Sequence, residues 1–169
     1  ARPSDHAIEL YSFQRGYLGV NEVEGGAVNI CGLVHAGRLE GLRGGWQSFV
    51  NELPGEGSHL AGLFDTHEPT QEQFLSSEPV IFAARAPAVN GILMVGDAAG
   101  IIDPLAGNGM AMAIQSALVA ASCILRRRSG SADDIASEYD TAYRKLFLDR
   151  IRWSRRVAWV LSRPGIVDA

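Results

Sequence analysis

The apolar and polar residues follow three regimes along the chain. Residues 7–13 (AIELYSF) alternate with the period of two that a strand requires, and residues 17–21 with 27–34 form a hairpin pattern turned by Glu24-Gly25-Gly26. Residues 41–53 and 58–64 carry short helical patterns, split by the breaker cluster Pro54-Gly55-Glu56-Gly57, and residues 70–75 fit a helical turn. Residues 80–84 read as a strand, joined through 87–90 to a short apolar run at 92–95. Gly96, Gly100, Gly107 and Gly109 follow, and from Met110 apolar residues recur at helical spacing as far as Arg126. Arg126-Arg127-Arg128 suits the negative end of that helix, and Ser129-Gly130-Ser131 stops it. A second helix is predicted from near Asp133, with Asp134 in its first turn, through Tyr139, Tyr143, Leu146, Phe147, Ile151 and Val157 to Leu161, with Pro164 ending it. The class is α+β: an antiparallel sheet with helices, then the last strand and helices of a Rossmann-like α/β domain.

Length and composition narrow this picture without changing it. A chain of 169 residues with 47% hydrophobic content suits one domain or two small subdomains, and disorder is excluded. Asp97 and Asp103 interrupt the most apolar stretch, so no membrane span is expected, and residues 2–9 lack the apolar core of a signal peptide. A net charge of -4 argues against nucleic-acid binding. Cys31 and Cys123 have neither metal nor disulfide-scaffold spacing, and both are expected as reduced core thiols. His6, His35, His59 and His67 are scattered without ligand spacing, so no metal site is expected, and no Ser-His-Asp frame exists. The C-terminal stretch is locally basic, with Arg144, Lys145, Arg150, Arg152, Arg155, Arg156 and Arg163 interleaved with Trp153 and Trp159. Two readings follow: aromatic residues packed on the core with arginines in water, or a peripheral contact with an acidic lipid surface.

The candidate chemistry lies between Gly96 and Met110. A strand, a glycine-rich turn and a helix in succession bring backbone close to a phosphate-bearing cofactor and offer it the helix's free N–H groups. Asp97, directly after the strand, supplies a carboxylate for sugar hydroxyls, or serves only as a turn former. Asp103 caps the Pro104 turn or acts in catalysis, and Asn108, between two glycines, is a left-handed turn residue or a cofactor contact through its backbone. On the hairpin, either Asn29 and Cys31 or their neighbours Val28 and Ile30 face the site, because successive side chains point to opposite faces.

The segment GDAAGIIDPLAGNGMAMAIQSA resembles the second FAD fingerprint, the GD-type motif, of the flavoprotein superfamily of aromatic hydroxylases, flavin-dependent halogenases and geranylgeranyl reductases. More loosely, GYLGVNEVEGGAVNICGLV is similar to the substrate-domain hairpin of the geranylgeranyl reductase-like branch. The resemblance implies that Asp97 binds the ribityl hydroxyls of FAD and that residues 104–109 pass beside the isoalloxazine ring. The helix starting near Gly109 then points its N-terminus at the pyrimidine end of the flavin, where reduction places negative charge. The implied cofactor residues are Gly96, Asp97, Ala98, Pro104, Gly107, Asn108, Gly109 and Met110, with no catalytic acid or base named.

The superfamily's GxGxxG turn for the ADP half of FAD is absent. Gly41-Leu42-Arg43-Gly44-Gly45 and Gly55-Glu56-Gly57 have the wrong spacing, and the middle Asp-Gly fingerprint is absent as well. The chain therefore reads as the C-terminal half of a longer FAD-dependent oxidoreductase, inactive alone, with residues 1–90 in a substrate domain and 91–169 completing the FAD domain. The parent would be a cytoplasmic enzyme that takes a hydride from NAD(P)H and hydroxylates or reduces an apolar isoprenoid or aromatic, polyketide-like small molecule. The alternative is a non-catalytic dimeric binding module that keeps the scaffold. In either case uncovered sheet edges and apolar surface predict self-association, by strand pairing across a two-fold axis.

Overall fold

The computed structural model describes residues 7–39, 45–56, 58–65, 70, 75–77, 79–127 and 129–162. The chain divides into two compact units, one formed by Ala1–Pro79 with Trp159–Ala169 and the other by Val80–Ala158.

In the first unit, strands β1 (Glu9–Phe13), β2 (Gly16–Glu22) and β3 (Val28–Val34) form an antiparallel sheet in that order. The register aligns Leu10 with Gly19 and Gly19 with Cys31 across the three strands. The β2–β3 connection turns at Gly25 and Gly26, both with positive φ, as the Glu24-Gly25-Gly26 signal requires. Period-two alternation sends Phe13, Leu18 and Val20 into a core closed by Phe49, Leu53, Leu60 and Leu63, with Val28, Ile30 and Val34 packed against it. The covering residues come from α2 (Gly45–Glu52), a 3-10 turn at Leu53–Glu56 and α3 (Ser58–Asp65), while α1 (Ala36–Leu39) is a single turn after β3. The helix expected over 41–53 thus ends in a tight turn at the Pro54-Gly55 breaker, and its first four residues lie outside the described ones. Residues 71–74 of the helical turn expected at 70–75 also lie outside them, as do His6, His67, Arg163 and Pro164.

The second unit differs more from expectation. Residues 80–84 form no strand: Ala84 makes an isolated bridge to Gly100, supported by Arg85 N–H to Ala99 O at 3.0 Å and Ile101 N–H to Ala83 O at 3.1 Å. Their partner is the exit of a turn, which leaves no ladder to extend. Residues 87–90, expected as a link, instead supply β4 (Ala88–Val89), paired antiparallel with β5 (Ile92–Leu93). Asn90 and Gly91 both have positive φ, 51° and 76°, the geometry of the tight hairpin turn that an Asn-Gly pair favours.

Helix α4 (Gly109–Arg126) and helix α5 (Ala132–Leu161) begin one residue before their expected starts and end where expected. Ser131 and Asp134 cap α5 reciprocally: Asp134 N–H donates to the Ser131 hydroxyl at 3.1 Å, and Ser131 N–H donates to the Asp134 carboxylate at 3.2 Å. Glu138 receives both Arg126 and Arg127 at 2.8 Å, tying the end of α4 to α5. The unit's core is Ala99, Ile102, Met112, Ala120, Cys123, Tyr139, Tyr143, Phe147 and Ile151.

Three expectations about surface residues are corrected here. Cys123 is buried, but Cys31 is exposed on the outward sheet row. Trp153 and Trp159 are 61% and 53% exposed, because the buried stripe of α5 runs through Tyr139, Tyr143, Phe147 and Ile151 instead. Among the described residues α4 is long and apolar enough to cross a membrane by length and composition, since Asp97 and Asp103 precede it and interrupt nothing within it. One stripe of α4, Met112, Ser116, Ala120 and Cys123, is buried. A second apolar stripe, Met110, Ile114, Leu118 and Leu125, is exposed, Met110 by 85%.

A half-buried ion pair organises the first unit. The Arg38 guanidinium pairs with Glu56, donates to Gln14 O and lies over the rings of Phe13 and Phe49, 5.5 and 5.3 Å from their centroids. Burial works against the Glu56 charge, but hydrogen bonds from Arg38 and Gln14 N–H outweigh it and hold the carboxyl below its ordinary 4.5. Arg38→Ala should therefore destabilise the chain by roughly 2–3 kcal/mol, leaving a partly buried carboxylate unpaired. Because the folded-state pKa is lowered, this stabilisation is complete above pH 4.5 and lost as pH falls through the folded value, so the difference between the two proteins in urea melts should be smaller at pH 3 than at pH 7.

Candidate functional site

The turn after β5 is fixed by one hydroxyl from each long helix. Tyr139 of α5, fully buried, donates to Met94 O at 2.7 Å. Ser116 of α4, also buried, accepts Gly96 N–H at 2.9 Å and donates to Ala113 O at 3.0 Å. Gly96, Asp97 and Ala98 then form a 3-10 turn closed by Ala99 N–H to Gly96 O at 3.0 Å. Gly96 has φ 57°, and a Cβ there would lie 3.1 Å from Ala113 Cβ, so glycine serves both the turn and the close passage of α4. Held this way, the Asp97 side chain is exposed, with no hydrogen bond or ion pair among the described residues.

Four residues later a second turn leads into α4. The Asp103 carboxylate accepts Leu105 N–H at 3.0 Å and caps a 3-10 turn at Pro104–Ala106. Buried and used in this way, Asp103 is a structural cap. The left-handed residue here is Gly107, φ 59°, whereas Asn108 has φ -121°; the left-handed reading of Asn108 is corrected accordingly. The Asn108 side chain makes no capping bond, and its carbonyl accepts Met112 N–H at 3.0 Å. Gly109, Met110 and Ala111 thus carry the N–H groups that an α-helix leaves without intrahelical partners. The structure brings the 96–98 turn against α4 at Ala113 and Ser116, close to that helix start.

Beneath the turn lies a third feature that sequence reasoning missed. Gly100 is buried, and a Cβ there would stand 3.1 Å from the Tyr143 hydroxyl, 3.1 Å from Ile151 Cδ1 and 3.2 Å from Ala84 Cα. The Tyr143 hydroxyl has no hydrogen-bond partner among the described residues. Burial raises the pKa of Tyr143, and the negative charge of Asp97 adds to it; burial likewise pushes Tyr139 up to about 12, so both phenols are protonated donors at neutral pH. The available signal for Ser116 and Tyr139 was a hydroxyl recurring within an otherwise apolar helix stripe, where a buried polar atom requires a partner. An open apolar cleft of about 230 Å³ adjoins the second turn, lined by Ile102, Ala106, Asn108, Arg150, Trp153 and Val157. No group of three or more metal-ligating side chains is close enough to hold an ion among the described residues.

The first unit's sheet has one row on the core and one outward. Val28 and Ile30 pack on the core, and Asn29 and Cys31 lie on the outward face with Leu10 and Gly19.

No family model and no curated protein matches the sequence. Solved structures do. PqsL of P. aeruginosa in complex with 2-aminobenzoylacetate superposes with a TM-score of 0.62 at 18% identity, covering 96% of this chain and 47% of PqsL. A second PqsL structure, described as a probable FAD-dependent monooxygenase from Pseudomonas aeruginosa, gives 0.60 at 17%, with the same coverage. The chain spans about half the length of these structures and shares their α+β fold over that half.

The clamp should be measurable in the protein alone. Ser116→Ala leaves Gly96 N–H without its acceptor, and Tyr139→Phe leaves Met94 O without its donor; each should cost on the order of 1–3 kcal/mol. Thermal melts of the two variants and their double mutant check this, and a coupled, non-additive loss is expected because both hydroxyls hold one turn.

Proposed function

We propose that this chain is the C-terminal half of an FAD-dependent oxidoreductase, a monooxygenase in the first instance, acting on a small apolar or aromatic molecule. The observation that carries the reading is the clamped turn presenting a free Asp97 carboxylate beside the open N-terminus of α4, within a fold shared with PqsL. The residues fit the cofactor on two counts. Asp97 is unengaged, and the first N–H groups of α4 are without intrahelical acceptors. FAD, when bound, supplies the redox chemistry, drawing electrons from NAD(P)H.

The chain's own residues supply position and charge. Asp97 accepts hydrogen bonds from polyol hydroxyls, and Gly96 and Ala98 let backbone approach closely. Pro104, Gly107 and Asn108 would shape the loop that holds the cofactor, and the N–H groups of Gly109 and Met110 would stabilise negative charge on it. The outward sheet row of Leu10, Gly19, Asn29 and Cys31 is the surface offered to substrate, since the other row is committed to the core. The aromatic ligand of the PqsL complex supports an aromatic or polyketide-like substrate over an isoprenoid one. Under this reading residues 1–90 belong to the substrate domain and 91–169 to the FAD domain. The parent is cytoplasmic, and the half-chain alone is inactive.

A second reading, a dimeric binding module without catalysis, draws on the exposed Met110, Ile114, Leu118 and Leu125 stripe of α4. The exposed Trp153 and Trp159 beside the arginines of α5 support peripheral membrane contact in the same way.

Two experiments test these readings. In a longer polypeptide that supplies a GxGxxG half, flavin absorbance should report tight FAD binding, and Asp97→Ala should weaken it roughly 10- to 100-fold through loss of charge-assisted hydrogen bonds. Equal affinity of the variant would remove Asp97 from the site, and no binding by either protein would remove the flavin assignment. The chain itself should sediment as a concentration-dependent oligomer, which Leu118→Glu should shift to monomer; a wild-type monomer at all concentrations contradicts self-association.

A further inference from the structure

The open cleft beside the second turn brings exposed aromatic surface and unneutralised positive charge together around about 230 Å³ of space, all within the second unit. Ile102, Ala106 and Val157 give it an apolar lining, and Trp153 adds an indole that is 61% exposed. Two polar side chains interrupt that lining with bonding capacity to spare. The Arg150 guanidinium donates to Gln115 Oε1 at 2.8 Å and lies 5.6 Å from the centre of the Phe147 ring, contacts that orient it without neutralising it. It has no carboxylate partner among the described residues, and most of its five N–H donors stay available. The Asn108 amide makes no hydrogen bond among the described residues. No acid lines the cleft, and the acids adjoining it in sequence are committed: Asp103 accepts Leu105 N–H, and Asp149 pairs with Arg152 at 3.2 Å. Arg156, stacked 4.9 Å from the centre of the Trp153 ring, adds a second guanidinium beside that ring.

We infer that this cleft is a binding site for a small aromatic carboxylate. The ring lies against Trp153, Val157 and Ile102, and the carboxylate meets the Arg150 guanidinium, with the Asn108 amide as a further donor. Size selects the ligand: a dry cavity of roughly 150 Å³ admits benzene, so this cleft takes one ring with a short acid arm, whereas sites for larger ligands run from about 300 Å³ upward. Charge selects the acid, because a cationic ligand would face Arg150 and Arg156 with no carboxylate in the lining to receive it. Binding covers an indole that the fold leaves in water. The assignment involves no flavin, so it stands or falls apart from the FAD reading.

The test is an NMR titration of the 15N-labelled chain with phenylacetate, and with phenylacetamide as its uncharged counterpart. Phenylacetate should shift the Trp153 indole N–H, identified by its loss in Trp153→Phe, with a dissociation constant in the millimolar range or below, as suits so small a ligand. The wild type should bind phenylacetamide several-fold more weakly. Arg150→Gln should weaken phenylacetate roughly tenfold and leave phenylacetamide unchanged, the effect of one charge-assisted contact. Arg155→Gln removes the same charge from an exposed position of α5 outside the cleft, and should leave both affinities as they were. Equal wild-type affinity for acid and amide overturns the inference without recourse to any variant. Equal weakening by Arg150→Gln and Arg155→Gln also overturns it, since the acid then answers to the general charge of the helix. Octanoate binding more tightly than phenylacetate overturns the aromatic assignment and gives the surface to acyl chains. No shift at Trp153 with any of the three probes at millimolar concentration leaves the cleft without a ligand and the FAD reading untouched.

Discussion

The second unit depends on holding one short stretch of backbone, residues 94–96, against two helices at once. Tyr139 reaches it from α5 and Ser116 from α4, at Met94 O and Gly96 N–H. Both hydroxyls are buried and both bonds are part-buried, where an unmatched polar group is costly, so each helix is held in rotation by the need to keep its hydroxyl on target. The clamp explains why β5 can be only two residues long and still direct the chain accurately into the turn. Gly96 makes the approach sterically possible, and Asp97 is left at the surface with its carboxylate free.

The same unit shows where its apolar surface remains uncovered. Helix α4 has one buried stripe and one exposed stripe, and Ile92 of the hairpin is exposed as well. A helix that carries two apolar stripes is suited to packing on more than one side.

The parts of the fold that were legible in the sequence were those with long, regular patterns. Helices α4 and α5 carry several turns of consistent apolar spacing, so their starts are placed within a residue, and Ser131 with Asp134 marks the start of α5. The β2–β3 hairpin was equally plain, because two alternating runs flank Glu24-Gly25-Gly26. Residues 80–84 were misleading: a β-rich run becomes a strand only when a partner offers a ladder, and residues 99–101 offer one bridge. Asn90-Gly91 is a hairpin signal, but the arms it joins are two residues each, too short for alternation to mark them as strands. Alternation showed that Asn29 and Cys31 face away from Val28 and Ile30, but only the packing of α2 and α3 decides which row is buried. Of the candidate site, Asp97 and the glycines were legible from their motif, whereas Ser116, Tyr139 and Tyr143 act across 20, 45 and 43 residues of chain, a separation that helical periodicity does not encode.

The most direct test of the account is amide hydrogen exchange across residues 94–112 of the longer polypeptide, with and without FAD. The account predicts that FAD slows exchange at Asp97, Ala98 and the helix-start amides of Gly109, Met110 and Ala111, with little change at Gly96, whose N–H is already engaged by Ser116. Saturating FAD that leaves residues 97–111 exchanging as before would contradict it, placing the cofactor elsewhere and leaving the clamped turn as architecture alone.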